Sequence, residues 1–291
     1  MKAKVISGVS WALVGIAALI FQFEFPSVCI LLTFFTVVAN YEILSAVGVK
    51  NKALIIFSSV PALLIPPATQ FDVFDKISIP LYMAVLLYVF ILFAVMLAGY
   101  PDTRFEHVAM ALVSSLVIPA SLSTMLKIEN LYKTIGDPYT KSICSYLLLT
   151  GLLCAWITDT MAYFFGSRFG KHKMAPKISP KKTWEGAVGG VFGTVAVNIL
   201  IWLVYYLLSK KGLINPFIIP LWAVLIFTFV LSVMSELGDL SASVIKRNYG
   251  VKDFGFIMGK GNGGVMDRFD SASFTLPALY FMICVYEVIR K

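Results

Sequence analysis

Charged residues are concentrated in one segment of this chain, Glu236–Ser271, which lies between two strongly apolar flanks. The acids in this segment are Glu236, Asp239, Asp253, Asp267 and Asp270. The bases interleaved with them are Lys246, Arg247, Lys252, Lys260 and Arg268. Because charge of both signs gathers here in a chain that otherwise avoids it, the segment is the first candidate for a functional site.

Two of the acids, Asp267 and Asp270, have the i, i+3 spacing that places both carboxylates on one face of a helix. Carboxylates held close together repel each other unless a cation lies between them, and Mg²⁺ accepts such ligands together with phosphate oxygens. Asp239, predicted to end the preceding helix, is expected to join them and to complete a site for one or two metal ions. The alternative is that these acids cap helices and pair with Arg268 and Arg247.

A glycine-rich turn, Gly261–Gly264, immediately precedes the helix that carries these acids, and it includes Asn262 and Gly263. Such a turn presents backbone N–H groups to an anion, which predicts a phosphate-binding turn. The stretch 255–260 superficially resembles a P-loop, but the spacing before Lys260 is one residue too short and Gly261 replaces the required Ser or Thr.

A second cluster precedes an apolar run at 184–208. Ser179-Pro180 suits a helix N-cap and first helical position, and Lys181, Lys182 and Thr183 would then surround a helix start that favours an anion. The alternative is a cytoplasmic anchor of positive charge. The bases Lys246, Arg247 and Lys252 have the same two interpretations, as ligands of a polyphosphate or lipid phosphate or as ordinary cations of the cytoplasmic face.

The composition requires a membrane to hold these clusters. Of the 291 residues, 59% are hydrophobic and only 14% are charged, and the mean hydropathy is +0.85. Soluble domains carry about 25% charged residues. The chain is therefore predicted to be an all-α polytopic membrane protein. Its net charge of +8 is attributed to orientation in the membrane and contact with anionic lipid, and no nucleic acid is expected as a partner.

Apolar runs of about 20 residues predict the membrane-spanning helices. Nine are expected, at about 5–22, 27–47, 53–71, 79–99, 107–126, 144–166, 184–208, 216–238 and 271–289. The first is predicted to stay uncleaved, and no lipidation motif is evident. One membrane domain, 1–291, is the simplest description, with N-terminal spans in 1–143 and the motifs in 144–291.

The orientation follows from the short connector 167–183, which is rich in lysine and contains no acid. It should be cytoplasmic, and counting the spans outward places Glu236–Ser271 on the same face. The expected architecture is thus a bundle of about nine helices with a polar funnel that opens to the cytoplasm.

Several residues within the spans also bear on the site. For Glu42 a structural role or a position at a span end is favoured, and for Asp159, which lies near a cytoplasmic helix end, a role in the site is favoured. The overlapping GxxxG patterns in 186–193 predict close helix packing. The four cysteines are expected to be buried apolar residues, since they form no CxxC pair.

The motifs resemble the signature of the phosphatidate cytidylyltransferases, or CDP-diacylglycerol synthases. The matching residues are Ser243, Lys246-Arg247, Lys252-Asp253, Gly263-Gly264 and Asp267-Arg268-Phe269-Asp270. Further matches are Gly238-Asp239-Leu240, Asp159, Tyr163, Gly166, Gly170-Lys171 and the run Ser179–Gly186. The resemblance is highly specific over about residues 150–275, whereas the N-terminal half matches only as hydrophobic spans.

One position departs from that signature. The family usually has Pro-Gly-His-Gly-Gly in the turn, whereas this chain has a turn longer by one residue with Asn262 where histidine is usual. Asparagine forms hydrogen bonds but does not exchange a proton near neutral pH. Either the histidine does not act as an acid or base, or this protein differs in activity or nucleotide preference.

The resemblance implies that CTP and phosphatidic acid give CDP-diacylglycerol and pyrophosphate, with Mg²⁺ as cofactor, one or two ions. It implies a Mg²⁺ site of Asp239, Asp267 and Asp270, with Lys252 and Asp253 also at the reacting centre. The implied substrate-binding residues are Ser179, Lys181, Lys182, Thr183, Ser243, Lys246, Arg247, Asn262, Gly263, Gly264 and Arg268. A homodimer is left open. The rival functions are a CTP-dependent lipid kinase and a polytopic ion or solute transporter.

Overall fold

The structure, a computed structural model, describes residues 26–76, 80–217, 219–255 and 263–290. Eight helices in these ranges are long and apolar enough to cross a membrane, and they are Ser27–Ala46, Lys52–Gln70, Leu81–Ala98, Phe105–Glu129, Lys141–Phe169, Trp184–Lys210, Leu221–Asn248 and Met266–Arg290. They correspond in order to the second to ninth predicted spans, which confirms the all-α membrane fold. The first predicted span, 5–22, lies outside the described residues.

The helices carry the following labels. The first group is α1 (Ser27–Ala46), α2 (Lys52–Gln70), α3 (Val73–Lys76), α4 (Leu81–Ala98), α5 (Phe105–Leu112), a π-helical segment (Val113–Val117), α6 (Ile118–Glu129) and α7 (Leu131–Thr134). The second group is α8 (Lys141–Phe169), β1 (Lys173–Ala175), β2 (Ser179–Thr183), α9 (Trp184–Lys210), α10 (Leu221–Asn248), α11 (Met266–Phe269) and α12 (Ala272–Arg290).

The chain divides into two compact units. The first contains the described residues up to Leu126 together with Asn248–Arg268, and the second contains Lys127–Arg247 and the described residues from Phe269 onward. In the first unit, a buried polar network joins three membrane helices. Asn40 Nδ2 donates to Ser58 Oγ at 3.2 Å, and Ser114 Oγ in the π-helical segment donates to Asn40 Oδ1 at 2.7 Å. These bonds fix α1, which also carries Glu42.

In the second unit, a β-hairpin fills the basic connector between α8 and α9. Its strands pair antiparallel, with Lys173 opposite Thr183 and Ala175 opposite Ser179. The prediction that Ser179 caps a helix is therefore wrong, because Ser179–Thr183 form strand β2. The helix begins later, where the Thr183 hydroxyl accepts a hydrogen bond from the Gly186 N–H at 3.2 Å and so supplies the N-cap.

The end of α10 also differs from the sequence-based expectation. The span was expected to end at 238 and Asp239 to terminate the helix, but α10 continues to Asn248. Nothing between Asp239 and Asn248 breaks a helix, since the next glycine is Gly250, whose φ of +68° is the left-handed conformation that stops helices. Lys246 and Arg247 in the last turn favour this extension through the helix dipole. Asp239 consequently lies within the helix.

Glycines allow α8 and α9 to pack closely, which confirms the predicted role of the GxxxG pattern. A Cβ atom at Gly190 would lie 3.0 Å from the Thr158 carbonyl oxygen and 3.0 Å from Ala162 Cβ. Between the helices, the hydroxyls of Thr158 and Thr194 are 3.0 Å apart. This contact holds the start of α9, and with it β2, against the end of α8.

We predict that Gly190→Leu destabilises the protein by about 2 kcal/mol, because a side chain there overpacks the interface of α8 and α9. The matched control is Val188→Leu on the same helix. Val188 is 53% exposed, so the larger leucine side chain extends over an open surface. Thermal unfolding in detergent measures both variants. Equal melting temperatures would show that the close approach of the two helices is not needed for stability.

Candidate functional site

Residues from β2 and α10 form an ion-pair cluster in the second unit. The Lys182 Nζ atom lies 2.5 Å from Glu236 Oε2 and 2.7 Å from Asp239 Oδ2. The two acids are three residues apart on α10, so they lie on the same face of that helix. A lysine that the β-hairpin carries next to this face is therefore shared by two carboxylates.

The same face of α10 continues to a second ion pair. Lys246 follows Asp239 by about two helical turns, and its Nζ atom lies 3.8 Å from the Oδ2 atom of Asp270, in the turn that precedes α12. Both side chains are buried, with residue exposures of 7% and 6%. Gly238 permits this proximity, because a Cβ atom there would lie 2.9 Å from the Asp270 carbonyl oxygen.

A fourth carboxylate, Asp159, joins the cluster from α8. Its Oδ2 atom accepts a hydrogen bond from Ser271 Oγ at 3.2 Å. It also lies within electrostatic range of Lys182 and of the acids Asp239, Asp270 and Glu236. Sequence reasoning favoured a site role for Asp159. It counted Glu236 among the acids of the candidate segment but gave it no specific role. Their shared signal is an acid within an otherwise apolar helix.

The electrostatics of the cluster keep Lys182 charged. Burial on its own lowers the pKa of Lys182, but the nearby carboxylates of Asp239 and Glu236 outweigh burial and raise the pKa to about 12. The ammonium group is therefore protonated at any physiological pH. It supplies a fixed positive charge at the point where two helical carboxylates converge.

The donor set suits a hard divalent cation. Among the described residues, the cluster brings together four carboxyl groups, those of Asp159, Glu236, Asp239 and Asp270, and the ammonium groups of Lys182 and Lys246. Oxygen donors of this kind are those that Mg²⁺ prefers. Within the described ranges, however, no three His, Cys, Asp or Glu side chains are already arranged around a common metal position.

One buried oxygen in the cluster supports the same conclusion. Glu236 Oε1 is shielded from solvent and accepts no hydrogen bond from any residue that the structure describes. A buried carboxylate oxygen without a donor is costly, and a cation would satisfy it. The cluster of carboxyl groups thus contains an oxygen, Glu236 Oε1, that has no donor among the described residues.

The glycine turn belongs to the first unit, where Asp267 is tied to its backbone. Asp267 Oδ2 accepts hydrogen bonds from the N–H groups of Phe254, at 2.8 Å, and Gly264, at 2.9 Å. Gly263 adopts a φ of +76°, which glycine accommodates without strain. The Gly264 N–H, predicted to bind an anion, here donates to a carboxylate of the protein itself. A helix break at Asp270 separates α11, which carries Asp267, from α12.

The other predicted residues occupy varied positions. Ser243 is buried on α10 and Thr183 is buried as the N-cap of α9. Arg247 is exposed, and its Nε atom donates to the Ile178 carbonyl oxygen of the hairpin at 3.2 Å. The remaining predicted residues with exposed side chains are Lys181, Lys252, Asp253 and Arg268. Ser179 is half-buried in β2, and Asn262 lies outside the described residues.

The fold and the site define the class of the protein as a polytopic integral membrane protein with a buried cluster of carboxylates and lysines among its helices. The sequence profile of the Cytidylyltransferase family matches residues 2–286, and the chain belongs to that family.

Several relatives share extensive sequence with it. A phosphatidate cytidylyltransferase of Staphylococcus saprophyticus is 43% identical over 155 residues, which is 52% of this chain and 55% of the relative. A phosphatidate cytidylyltransferase of Staphylococcus haemolyticus is 41% identical over 52% of this chain and 55% of the relative. One of Staphylococcus aureus is 42% identical over 50% of this chain and 51% of the relative. The matched part of this chain thus spans about half the length of these relatives.

Proposed function

We propose that the protein transfers the cytidylyl group of CTP to phosphatidic acid, which gives CDP-diacylglycerol and pyrophosphate for phospholipid synthesis. Membership of the Cytidylyltransferase family and the names of the relatives support this activity. The single structural observation that carries it is the cluster in which Lys182 joins Glu236 and Asp239 while Lys246 pairs with Asp270. Lysines and acids alternate in this cluster. The lysines suit the negative charge of phosphates, and the acids suit the cation that accompanies a nucleotide.

The reaction asks mainly for charge neutralisation. An oxygen of the lipid phosphate attacks the α-phosphorus of CTP, and the bond from that phosphorus to the bridging oxygen breaks as pyrophosphate leaves. The attacking phosphate is already anionic, so no strong general base is required. The protein therefore contributes position and electrostatic stabilisation.

Basic residues would balance the phosphates. Lys182 and Lys246 supply fixed charge at the carboxylate cluster, and Lys181, Arg247 and Lys252 are exposed where a polyphosphate has access to them. Ser179, Thr183, Ser243, Asn262 and Gly263 would donate hydrogen bonds. Gly264, whose N–H donates to Asp267, would instead shape the turn. In the sequence, Lys252 and Asp253 precede the glycine turn and Arg268 follows it, and these residues would complete the site.

Asp239, Asp267 and Asp270 would hold Mg²⁺, as one or two ions, and the cluster above adds Asp159 and Glu236 to the nearby carboxylates. When bound, Mg²⁺ would neutralise charge that develops on the phosphates during transfer. The support for Mg²⁺ is the set of carboxyl groups gathered in the cluster and the Glu236 Oε1 atom, which accepts no hydrogen bond from a described residue.

The membrane arrangement suits substrates from two phases. CTP would enter from the cytoplasm, and the lipid would enter laterally from the bilayer. We place the charged cluster on the cytoplasmic side, because the basic connector with its hairpin precedes α9. Membrane lipid is thus a partner as well as a substrate, and a homodimer is compatible with this arrangement.

The experiment that tests this function follows radioactive phosphorus from the α or γ position of CTP. Purified protein with Mg²⁺ and phosphatidic acid should place the label of [α-³²P]CTP in the lipid fraction and the label of [γ-³²P]CTP in pyrophosphate. Transfer of the γ label to lipid would instead identify a lipid kinase. Solute flux in proteoliposomes with no labelled lipid would identify a transporter.

A further inference from the structure

The carboxyl group of Glu42 lies at the glycine turn, although Glu42 precedes Met266 by 224 residues. It belongs to α1 in the first unit and is only 2% exposed. Its Oε2 atom accepts a hydrogen bond from the backbone N–H of Met266 at 3.1 Å. An acid from the N-terminal helices thus binds the backbone where α11 begins.

Two glycines leave the space that this carboxyl group occupies. A Cβ atom at Gly255 would overlap Glu42 Oε1, and a Cβ atom at Gly264 would overlap Glu42 Oε2. Neither position can therefore carry a larger residue without moving Glu42. The two glycines and the buried glutamate therefore depend on each other, because the carboxyl group fills the space that side chains at these positions would occupy.

A second carboxylate fastens the same pieces of backbone. Asp267 Oδ2 accepts hydrogen bonds from Phe254 and Gly264, next to the Gly255 and Met266 positions that contact Glu42. The two carboxylates thus connect the backbone before residue 256 with the backbone after residue 262. Between these points lie residues 256–262, outside the described ranges.

The helix that carries Glu42 is itself held in place. Asn40, two residues earlier on α1, is fully buried and bonds to Ser58 on α2 and to Ser114 in the π-helical segment. Buried hydrogen bonds of this kind fix the position of α1 relative to its neighbours. Glu42 is therefore presented from a rigid support.

We infer that Glu42 is a positioning residue that holds the backbone of Gly264 and Met266, at the end of the glycine turn, in place for phosphate binding. This role rests on the proposed function for its catalytic consequence, but the contact with the turn stands on the geometry alone. It gives the N-terminal helices a part in the site, which their hydrophobic sequence does not reveal.

Limited proteolysis tests the contact without reference to activity. Trypsin cuts after Lys252 and Arg268, two exposed residues that flank the turn. Glu42→Ala should raise the cleavage rate at both by about tenfold, because loss of the hydrogen bond from the Met266 N–H favours local opening. Glu42→Gln should stay within about twofold of the wild type, since its amide oxygen still accepts from Met266. Glu129→Gln, at an equally buried glutamate of α6, is the control and should not change cleavage.

A double variant makes the test specific. Gly264→Ala should speed cleavage as Glu42→Ala does, and the combined variant should be cut no faster than Glu42→Ala alone, because both changes remove one contact. Multiplied rates in the double variant, or wild-type rates in Gly264→Ala, would overturn the inference. The glycine variant and Glu42→Gln also decide the matter if Glu42→Ala does not insert.

Kinetics then separate positioning from a general loss of stability. Glu42→Ala should raise the KM for CTP by about tenfold and lower kcat much less, and Glu42→Gln should restore the KM. A melting temperature that falls while KM is unchanged would show a merely structural role. If the wild type forms no nucleotide-bearing lipid, the proposed function fails, while the cleavage rates still decide whether Glu42 holds the turn.

Discussion

Asp239→Asn should lower cytidylyl transfer by about 10³-fold while the protein still inserts and folds, because it removes one of the carboxylates that would hold Mg²⁺ against the phosphates. Lys182 keeps its other partner, Glu236, in this variant, so the fold loses little. Incorporation of label from [α-³²P]CTP into lipid measures the effect.

Asp270→Asn and Asp267→Asn should have effects of the same size on turnover. Asp270→Asn also leaves Lys246 buried without its carboxylate partner, so its stability must be measured alongside its activity. Asp102→Asn is the matched control, since Asp102 is an exposed acid in a connector of the described chain. Near-normal turnover in both Asp267→Asn and Asp270→Asn would contradict the assignment of a metal site.

Lys182→Met should be the most destabilising change in the cluster, by about 3 kcal/mol, because a buried pair that loses one partner leaves an uncompensated charge. The residue exposure of Glu236 is only 8%, and its Oε1 atom already lacks a donor among the described residues. Thermal unfolding in detergent measures the loss. Lys181→Met, at the exposed neighbour on β2, is the control and should change stability by less than about 0.5 kcal/mol.

A second substitution separates stability from function at this lysine. Glu236→Gln added to Lys182→Met should recover part of the lost stability, because it removes a buried carboxylate, yet it should not recover turnover. Recovery of both would mean that Lys182 serves only to neutralise Glu236. Equal stability of Lys182→Met and the wild type would show that the ion pairs are not formed.

The stabilisation by Lys182 should depend on pH in a defined way. Its pKa in the folded protein, about 12, lies above the ordinary value of 10.5, so folding favours the protonated form. The difference in melting temperature between wild type and Lys182→Met should be constant from neutral pH to pH 10.5 and should shrink as the pH rises through 12. A difference that disappears near neutral pH would contradict this pairing.

Composition and apolar run length predicted the membrane helices well. Helical spans need about 20 apolar residues regardless of their partners, which is why eight of the expected spans match helices in the described ranges. Charge patterning also singled out Lys182 and Asp239, and the structure brings these two side chains together. Glycine spacing correctly predicted the packing of α9 on α8.

Tertiary partners were beyond the reach of sequence patterns. Ser179-Pro180 has the chemistry of an N-cap, but pairing with β1 draws it into a strand. Asp239 was expected at a helix end because the hydrophobic run stops there, yet a polar helix continues where β2 supplies Lys182 as a partner. No local pattern links Glu42 to Met266, because that contact depends on how α1 packs.

Binding of Mn²⁺ in the presence of CTP, followed by electron paramagnetic resonance, tests the central claim most directly, since Mn²⁺ takes oxygen ligands like those of Mg²⁺. The account predicts saturable binding to the wild type and to Asp102→Asn, and its loss in Asp239→Asn and in Asp270→Asn. Unchanged binding of Mn²⁺ and CTP to both site variants would contradict the claim that these carboxylates hold the metal.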